Sequence, residues 1–318
     1  WFLADQADRL RISKTVSLAV AAALLLGLTF GCWWQTRHWR NSETLWRYTL
    51  AMTDGNAYAH ANLASVLSQQ GNPVEAADNN RKALAIESGN LIALSNLATL
   101  YVDSGKVVEA VKMYERSVEL NPKFLYGWFN LGNAYQKLGR INDADRAWRQ
   151  AAELNPRMGA AWNNLAGLAI ERGDVEEAIR MAIKAEEGGG GASAAMTLGR
   201  ALDTAGRLDQ AVDAYRRAAH GDPKSPIAVN NLGSVLERTG RLDEAANAFR
   251  RAARLEPQSP VFEYNLGIVL EKQGNRSAAG EAFGRAEERF RAAGNISMAE
   301  AIAKRRKALG PSEEAVAR

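Results

Sequence analysis

The 318-residue chain carries 40 lysines and arginines and 36 aspartates and glutamates, which gives a formal net charge of +4. This mixed charge argues against a nucleic-acid-binding protein, because such proteins concentrate Lys and Arg on one face. Apolar residues make up 47% and charged residues 24%, as in an ordinary folded protein, and the single cysteine, Cys32, excludes an intrachain disulfide bond. Proline is scarce and no stretch alternates between polar and apolar residues as a strand does, so an all-α chain is expected.

An uncharged stretch near the N-terminus, 15–36, predicts a transmembrane helix. Its 22 residues would extend roughly 33 Å at about 1.5 Å per residue, which is enough to cross the hydrocarbon core. Trp33, Trp34 and Arg37 lie at its C-terminal end, an arrangement that is typical of a membrane interface. The lipid bilayer is therefore an expected partner, and 1–14 is interpreted as a loop or the end of a preceding segment.

A secretory signal is the alternative for this stretch. The sequence from Thr29 to Cys32 resembles a bacterial lipoprotein cleavage site, which would make Cys32 the acylated residue. Position 29 is usually Leu in such sites, and signal sequences have shorter apolar regions than this one. Charge does not decide the orientation of the segment, because three basic residues precede it and three follow it. They are Arg9, Arg11 and Lys14 before it, and Arg37, Arg40 and Arg47 after it.

A leucine recurs through most of the chain at intervals of 34 residues, with one interval of 33. A small residue follows each leucine, a glycine comes seven residues later, and an alanine five residues after that. Counted within a repeat, these are positions 7, 8, 15 and 20. The small residues at 8 and 20 allow two helices to approach closely, and the glycine at 15 ends the first helix. The seven leucines are Leu63, Leu97, Leu131, Leu165, Leu198, Leu232 and Leu266.

The third repeat contains the most complete form of this pattern. Its matching residues are Trp128, Leu131, Gly132, Tyr135, Ala144, Trp148, Ala151 and Pro156. The pattern resembles the tetratricopeptide repeat family, which has a period of 34 residues. The resemblance implies an all-α superhelical solenoid of about seven helix–turn–helix repeats, preceded here by the predicted transmembrane helix. In such a stack each helix pair buries its apolar face only against its neighbours.

The repeats determine the boundaries of the remaining segments. Residues 42–53 stand where a second helix would precede the first repeat, and Ser297 with Glu300 matches a capping box for a terminal helix. The predicted segments are the loop 1–14, the transmembrane helix 15–36, a half-repeat 37–56, repeats 1–4 at 57–187, a glycine joint at 188–191, repeats 5–7 at 192–293, a capping helix 294–310 and a tail 311–318.

The single 33-residue interval coincides with four consecutive glycines, Gly188–Gly191. Near them, Ala169, Ala182 and Ala195 occupy positions that hold larger residues in other repeats. Less buried apolar area and the backbone freedom of glycine both lower local stability. We therefore hypothesise a soft joint that divides the array into 57–187 and 192–310.

Positions 4, 7, 8 and 11 of each first helix form an apolar stripe, called the core stripe, and positions 2, 6, 9 and 13 point the opposite way. In a stacked solenoid, that opposite side lines the concave groove. Position 6 is Asn in six of seven repeats. This row of amides is either a ladder that holds the backbone of an extended peptide or simply the common residue of the family at this position. Two tyrosines and two basic residues add aromatic surface and charge. The predicted groove residues are Asn62, Asn96, Asn130, Asn164, Asn231, Asn265, Tyr58, Tyr126, Lys137 and Arg200.

The sequence contains no arrangement that indicates catalysis. His38, His60 and His220 lie far apart in the repeat pattern, and no Cys or His spacing suits a metal ion. Gly188–Gly191 lacks the Lys and Ser of a phosphate-binding loop. No enzyme activity and no cofactor are expected within this chain. The expected partners are proteins or peptides in the groove and the bilayer, and not nucleic acid.

A second resemblance depends on the junction between the predicted transmembrane helix and the first repeat. It resembles the junction of transmembrane and tetratricopeptide-containing O-mannosyltransferase-like membrane proteins. The resemblance implies a catalytic membrane domain upstream and repeats that face away from the cytoplasm, in the periplasm or a lumen. The matching residues are Trp39, Ser42, Leu45, Trp46, Asn56, Ala59, His60, Asn62 and Leu63.

Two functions remain open at this point. The first is a membrane-anchored scaffold that binds extended peptide or helical partners in its groove. The second is the substrate-engaging C-terminal region of a polytopic membrane glycosyltransferase.

Overall fold

A computed structural model describes residues 14–37 and 41–309. Within these ranges all regular secondary structure is α-helical and forms seventeen helices. The predicted loop before Lys14, the predicted tail 311–318 and the proposed acylation of the Cys32 side chain lie outside the described residues. The helices are α1 (Lys14–Arg37), α2 (Ser42–Met52), α3 (Ala57–Gln69), α4 (Pro73–Ile86), α5 (Leu91–Asp103), α6 (Val107–Leu120), α7 (Leu125–Lys137), α8 (Ile141–Leu154), α9 (Gly159–Arg172), α10 (Val175–Glu187), α11 (Gly191–Thr204), α12 (Leu208–Gly221), α13 (Pro226–Arg238), α14 (Leu242–Leu255), α15 (Pro260–Lys272), α16 (Arg276–Ala292) and α17 (Ile296–Ala308).

The structure has a helix, α1, over the predicted transmembrane segment 15–36, but the transmembrane assignment requires correction. Among the described residues, no helix combines the length and the apolar character needed to cross a bilayer. The prediction rested on the absence of charge from 15–36, on the length of that stretch and on the tryptophans at its end. The single-span membrane localisation and the bilayer as partner depended on that helix and are corrected with it. The extracytoplasmic placement of the repeats, which the membrane-protein resemblance implied, is corrected as well.

Two compact units make up the chain, Trp1–Arg140 and Ile141–Arg318. Helices α1–α7 belong to unit 1, and helices α8–α17 belong to unit 2. The boundary between the units falls between the two helices of the third repeat, whereas Gly188–Gly191 lies inside unit 2.

Each first helix ends at a glycine in the left-handed conformation, as the spacing predicts. At the end of α9, Gly173 has φ 80° and its N–H donates to Ile170 O at 3.1 Å. The next N–H, of Asp174, donates to Ala169 O at 2.9 Å. These two bonds use carbonyl groups that the end of the helix would otherwise leave unpaired, and glycine adopts the required φ without steric cost. The equivalent glycines, with φ between 71° and 80°, are Gly71, Gly105, Gly139, Gly206, Gly240 and Gly274.

The two helices of a repeat approach closely through the small residues at positions 8 and 20. In the fifth repeat a β-carbon added to Gly199 would stand 2.6 Å from Cδ1 of Tyr215, so the tyrosine ring packs directly on the glycine backbone. The alanines at position 20 are all fully buried, which leaves no room for a longer side chain. They are Ala76, Ala110, Ala144, Ala178, Ala211, Ala245 and Ala279.

In unit 1, α2 packs on the first repeat in the manner of a second helix. Trp46 and Leu50 contact a buried apolar cluster of that repeat. Arg47 forms an ion pair with Glu75 at 2.8 Å. The apolar face of the first repeat is thereby covered by one additional helix. The cluster consists of Leu63, Ala64, Leu67 and Ala76.

In unit 2, the four glycines form a tight turn between α10 and α11. The N–H of Gly159 donates to Gly188 O at 3.2 Å. A β-carbon on Gly159 would lie 2.5 Å from Ala185 O, so the backbones are in direct contact. Gly189 has φ 79°, a conformation that favours glycine. The soft joint at this turn stays a prediction.

The last helix of unit 2, α17, begins at Ile296, and its N-cap is Asn295 instead of the Ser297 that the sequence pattern indicates. The Asn295 side chain accepts a hydrogen bond from Met298 N at 3.2 Å. Asn is as good an N-cap as Ser, and it comes first along the chain. Helix α17 buries Ile302 against the repeat before it.

Candidate protein-binding surface

We call positions 2, 6, 9 and 13 of the first helices the first-helix surface, considered separately in each unit. In unit 1 it lies on α3, α5 and α7. The amide nitrogen of Asn96 in α5 donates to Ala61 O at 3.2 Å and to Ser65 Oγ at 2.7 Å, both in α3. Asn62 donates within its own helix, to Tyr58 O at 2.8 Å. Asn62, Asn96 and Asn130 are all half-buried.

In unit 2 the same row lies on α9, α11, α13 and α15. The amide nitrogen of Asn265 donates to Asn230 Oδ1 at 2.9 Å, and that of Asn231 lies 3.5 Å from the sulfur of Met196. Each contact joins a first helix to the first helix of the preceding repeat. Asn164 is also half-buried.

Asn96, Asn231 and Asn265 therefore share one structural role, because each uses its side-chain amide between neighbouring first helices. A buried amide without such a partner would be costly, and the contact fixes the spacing of the repeats. Binding of a peptide by the Asn row stays a prediction.

The two predicted tyrosines differ from the Asn row because they face solvent. Tyr58 is 56% exposed and Tyr126 is 62% exposed, both at position 2 of repeats in unit 1. The ring of Tyr58 makes an edge-to-face contact with Trp46, with 5.7 Å between the ring centres. This contact restrains the orientation of Tyr58, although more than half of the residue stays exposed.

The two predicted basic residues are exposed as well. Lys137 lies at the end of α7 in unit 1, and Arg200 lies on α11 in unit 2. Beneath Arg200, burial raises the pKa of Tyr215 above its ordinary value, and the carboxylate of Asp203 raises it further. The positive charge of Arg200 acts in the opposite direction.

Two apolar residues of unit 2 belong to the same surface and were not predicted from the sequence. Ile227 is 61% exposed and Val261 is 44% exposed, each at position 2 of its repeat. Their shared position with Tyr58 and Tyr126 is the sequence feature that could have identified them.

Ion pairs joining successive repeats lie further along the first helices of unit 2. They form between Lys272 and Glu237 at 2.7 Å and between Arg238 and Asp203.

In the described part of the chain, no group of three or more His, Cys, Asp and Glu residues is placed to hold a metal ion. The half-buried His60, at core position 4, contacts Asn79 Oδ1 through its Nδ1 at 2.9 Å. This histidine is part of the packing between α3 and α4.

Solved structures share this fold at low sequence identity. PilF of Pseudomonas aeruginosa has a TM-score of 0.59 and 20% identity, over 65% of this chain and 95% of that chain. A tetratricopeptide repeat protein of Parabacteroides merdae has a TM-score of 0.53 and 17% identity, over 79% and 98% of the two chains. The Cut9–Hcn1 hetero-tetramer of the APC/C has a TM-score of 0.58 and 15% identity, over 81% of this chain and 50% of that chain.

No match was found among curated protein sequences. The similarity to O-mannosyltransferase-like membrane proteins is not shown by these comparisons. A family model described as the Cilia and flagella-associated protein 70 C-terminal domain matches residues 39–309, which is more than half of the chain. The helix pairs and the left-handed glycines at their turns are the features expected of tetratricopeptide repeats, and the family match agrees with them. The chain therefore belongs to the Cilia and flagella-associated protein 70 C-terminal domain family of tetratricopeptide repeats.

Proposed function

We propose that the chain is a scaffold that binds other proteins, taking an extended or helical segment of a partner on its first-helix surface. The observation that carries the proposal is the exposure of Tyr58 and Tyr126, at 56% and 62%, on the same repeat position. Tyrosine is enriched at protein interfaces, because its ring gives a large contact area at a low entropy cost and its hydroxyl forms hydrogen bonds.

The packing around Tyr58 supports this role. Trp46 restrains the Tyr58 ring before a partner arrives, so less side-chain freedom is lost on binding. The half-buried Asn96 lies four residues after position 2 of its helix, and its amide bonds join that helix to the preceding first helix. In unit 1, the restrained ring of Tyr58 thus stands next to first helices that are joined by side-chain hydrogen bonds.

The fold is also used in protein assemblies elsewhere. The Cut9–Hcn1 structure is a hetero-tetramer of two different proteins, one with the fold seen here. That assembly concerns Cut9 and Hcn1 alone. For this chain we infer only the general mode, in which a stack of helix pairs presents one surface to a protein partner.

Site-specific photo-crosslinking of the full chain tests the proposal. A photoreactive amino acid replaces Tyr58 or Tyr126, and in control proteins it replaces Val74 or Val108, which are 83% and 54% exposed at the starts of second helices in unit 1. We expect the same partner to be captured from both tyrosine positions and from neither valine position. Equal capture at all four positions, or capture from the valines only, would contradict the assignment of the surface.

A further inference from the structure

A cavity in unit 2 lies away from the first-helix surface, between the second helices of repeats six and seven. Its volume is about 450 Å³, and α14, α15 and α16 contribute its lining. Apolar contacts come from Ala253, Pro257 and Leu266. The charged lining residues are Arg250, Arg254, Glu263, Arg285 and Arg289.

Glu263 is an unusual residue for its place in the repeat. It stands at position 4, in the core stripe, and only 6% of its surface is exposed. Its two carboxylate oxygens lie 3.0 Å from Arg285 Nη2 and 3.1 Å from Arg289 Nη1. A buried carboxylate is retained only when it is paired, and these two arginines pair both of its oxygens. The residues at position 4 in the other repeats are His60, Leu94, Trp128, Trp162, Ala195 and Val229.

The cavity keeps an excess of positive charge after this pairing. Four arginines and one glutamate line it, so the formal charge is 4 − 1 = +3. Arg250 donates a hydrogen bond to Asn247 Oδ1 at 3.1 Å. Because the Asn247 side chain is neutral, the positive charge of Arg250 is not compensated by this bond. Glu281 lies 3.9 Å from Arg285, but it is 71% exposed, and water screens such a pair strongly.

We propose that this cavity, the arginine pocket, binds an acidic segment of a protein partner that carries adjacent carboxylate side chains. The planar guanidinium group matches a carboxylate through two parallel hydrogen bonds. Arg250 and Arg254 are exposed and stand one helical turn apart on α14, so neighbouring carboxylates can engage them together. Ala253, Pro257 and Leu266 provide surface for the aliphatic parts of the segment.

The chemistry of the lining favours a protein segment over a nucleic acid. Single-stranded nucleic acids bind through stacking of bases on aromatic side chains as well as through charge. The residues that line this pocket include no aromatic ring. The pocket contains no residue from positions 2, 6, 9 or 13 of a first helix, so it offers a binding site separate from the first-helix surface.

Binding of fluorescein-labelled decaglutamate to the full chain, followed by fluorescence anisotropy, tests the proposal. We expect saturable binding at low salt that weakens as the salt concentration rises. The double variant Arg250→Ala/Arg254→Ala should bind at least about tenfold more weakly, because two charge-assisted contacts are lost. Neither arginine belongs to the Glu263 ion pairs, so the melting temperature should stay unchanged.

The matched control is Arg180→Ala/Arg276→Ala, which removes the same charge from exposed positions of α10 and α16 in unit 2. Its affinity for decaglutamate should stay within about twofold of the unmodified chain, since a distant charge is screened. Equal losses in both double variants would overturn the proposal, as would the absence of binding at low salt. Tighter binding of a decauridine RNA than of decaglutamate would also overturn it. Failure here leaves the first-helix proposal intact, because no residue of that surface is changed.

Discussion

Phe283 packs its ring directly against the backbone of Gly267, and a β-carbon added to Gly267 would stand 2.6 Å from Phe283 Cδ1. Phe283 is fully buried, so its ring has no space into which it can move. Gly267→Ala should therefore lower the free energy of unfolding by about 1–3 kcal/mol, the usual cost of overpacking. Thermal unfolding followed by circular dichroism measures this loss.

Gly280, in the second helix of the same repeat, is the matched control. A β-carbon added there meets no atom within 4 Å. Gly280→Ala should leave stability unchanged or raise it by roughly 0.5–1 kcal/mol, because alanine favours the helix. Equal melting temperatures for Gly267→Ala and Gly280→Ala would contradict the claim that the Phe283 ring needs a glycine at position 267.

Asn96 and Asn62 occupy the same repeat position but use their amides differently. Asn96 donates to Ser65 Oγ and to Ala61 O of the preceding first helix, whereas Asn62 donates only within its own helix. Asn96→Ala should lower the free energy of unfolding by about 1–2 kcal/mol, and Asn62→Ala by much less. Chemical denaturation of the two variants checks this. Loss of partner binding without loss of stability in Asn96→Ala would restore the ligand-ladder interpretation for this residue.

The glycine turn at Gly188–Gly191 should open more readily than the repeats after it. We expect faster amide hydrogen exchange in 185–195 than in 210–220, because glycine increases backbone freedom and the neighbouring side chains are small. Hydrogen exchange read by mass spectrometry resolves these segments. Uniform protection across 160–215 would remove the soft-joint hypothesis and would assign the turn to the rigid core of unit 2.

Tyr215 should make unit 2 sensitive to alkaline pH. Burial raises the pKa of its hydroxyl above the ordinary value of 10.0, so the unfolded chain releases this proton at a lower pH than the folded chain does. Its stabilising effect is complete below about pH 10 and is lost as the pH rises from there toward the folded pKa. The melting temperature of Tyr215→Phe should fall less steeply than that of the unmodified chain between about pH 9 and 11. Parallel pH profiles for the two proteins would contradict this assignment.

The periodic part of the fold could be predicted because its causes are local. Leu63, Leu97 and Leu131 recur every 34 residues and are each only 2% exposed. The glycines at position 15 end the first helices because no other residue adopts their φ as cheaply. Spacing alone therefore specified the helix pairs and their buried faces.

The first-helix surface and the arginine pocket were less predictable, because both depend on which neighbouring residue a side chain contacts in the folded chain. A rotation of about 100° per residue gives the direction of Asn96 and Asn62 but not their different partners. Glu263 interrupts an apolar stripe, which the sequence shows, but its arginine partners come from the packing of α15 on α16. The transmembrane prediction was wrong, since no helix among the described residues is long and apolar enough to cross a bilayer.

The outer helix of unit 2, α17, has a consequence for self-association. It covers the last repeat with Ile302, and its Arg305 guanidinium lies 5.3 Å from the Phe283 ring centre, while Lys304 and Lys307 face water. A chain shortened before Ile296 would expose the apolar surface of the last repeat that Ile302 covers. We expect such shortened chains to self-associate, because a newly exposed apolar patch promotes association.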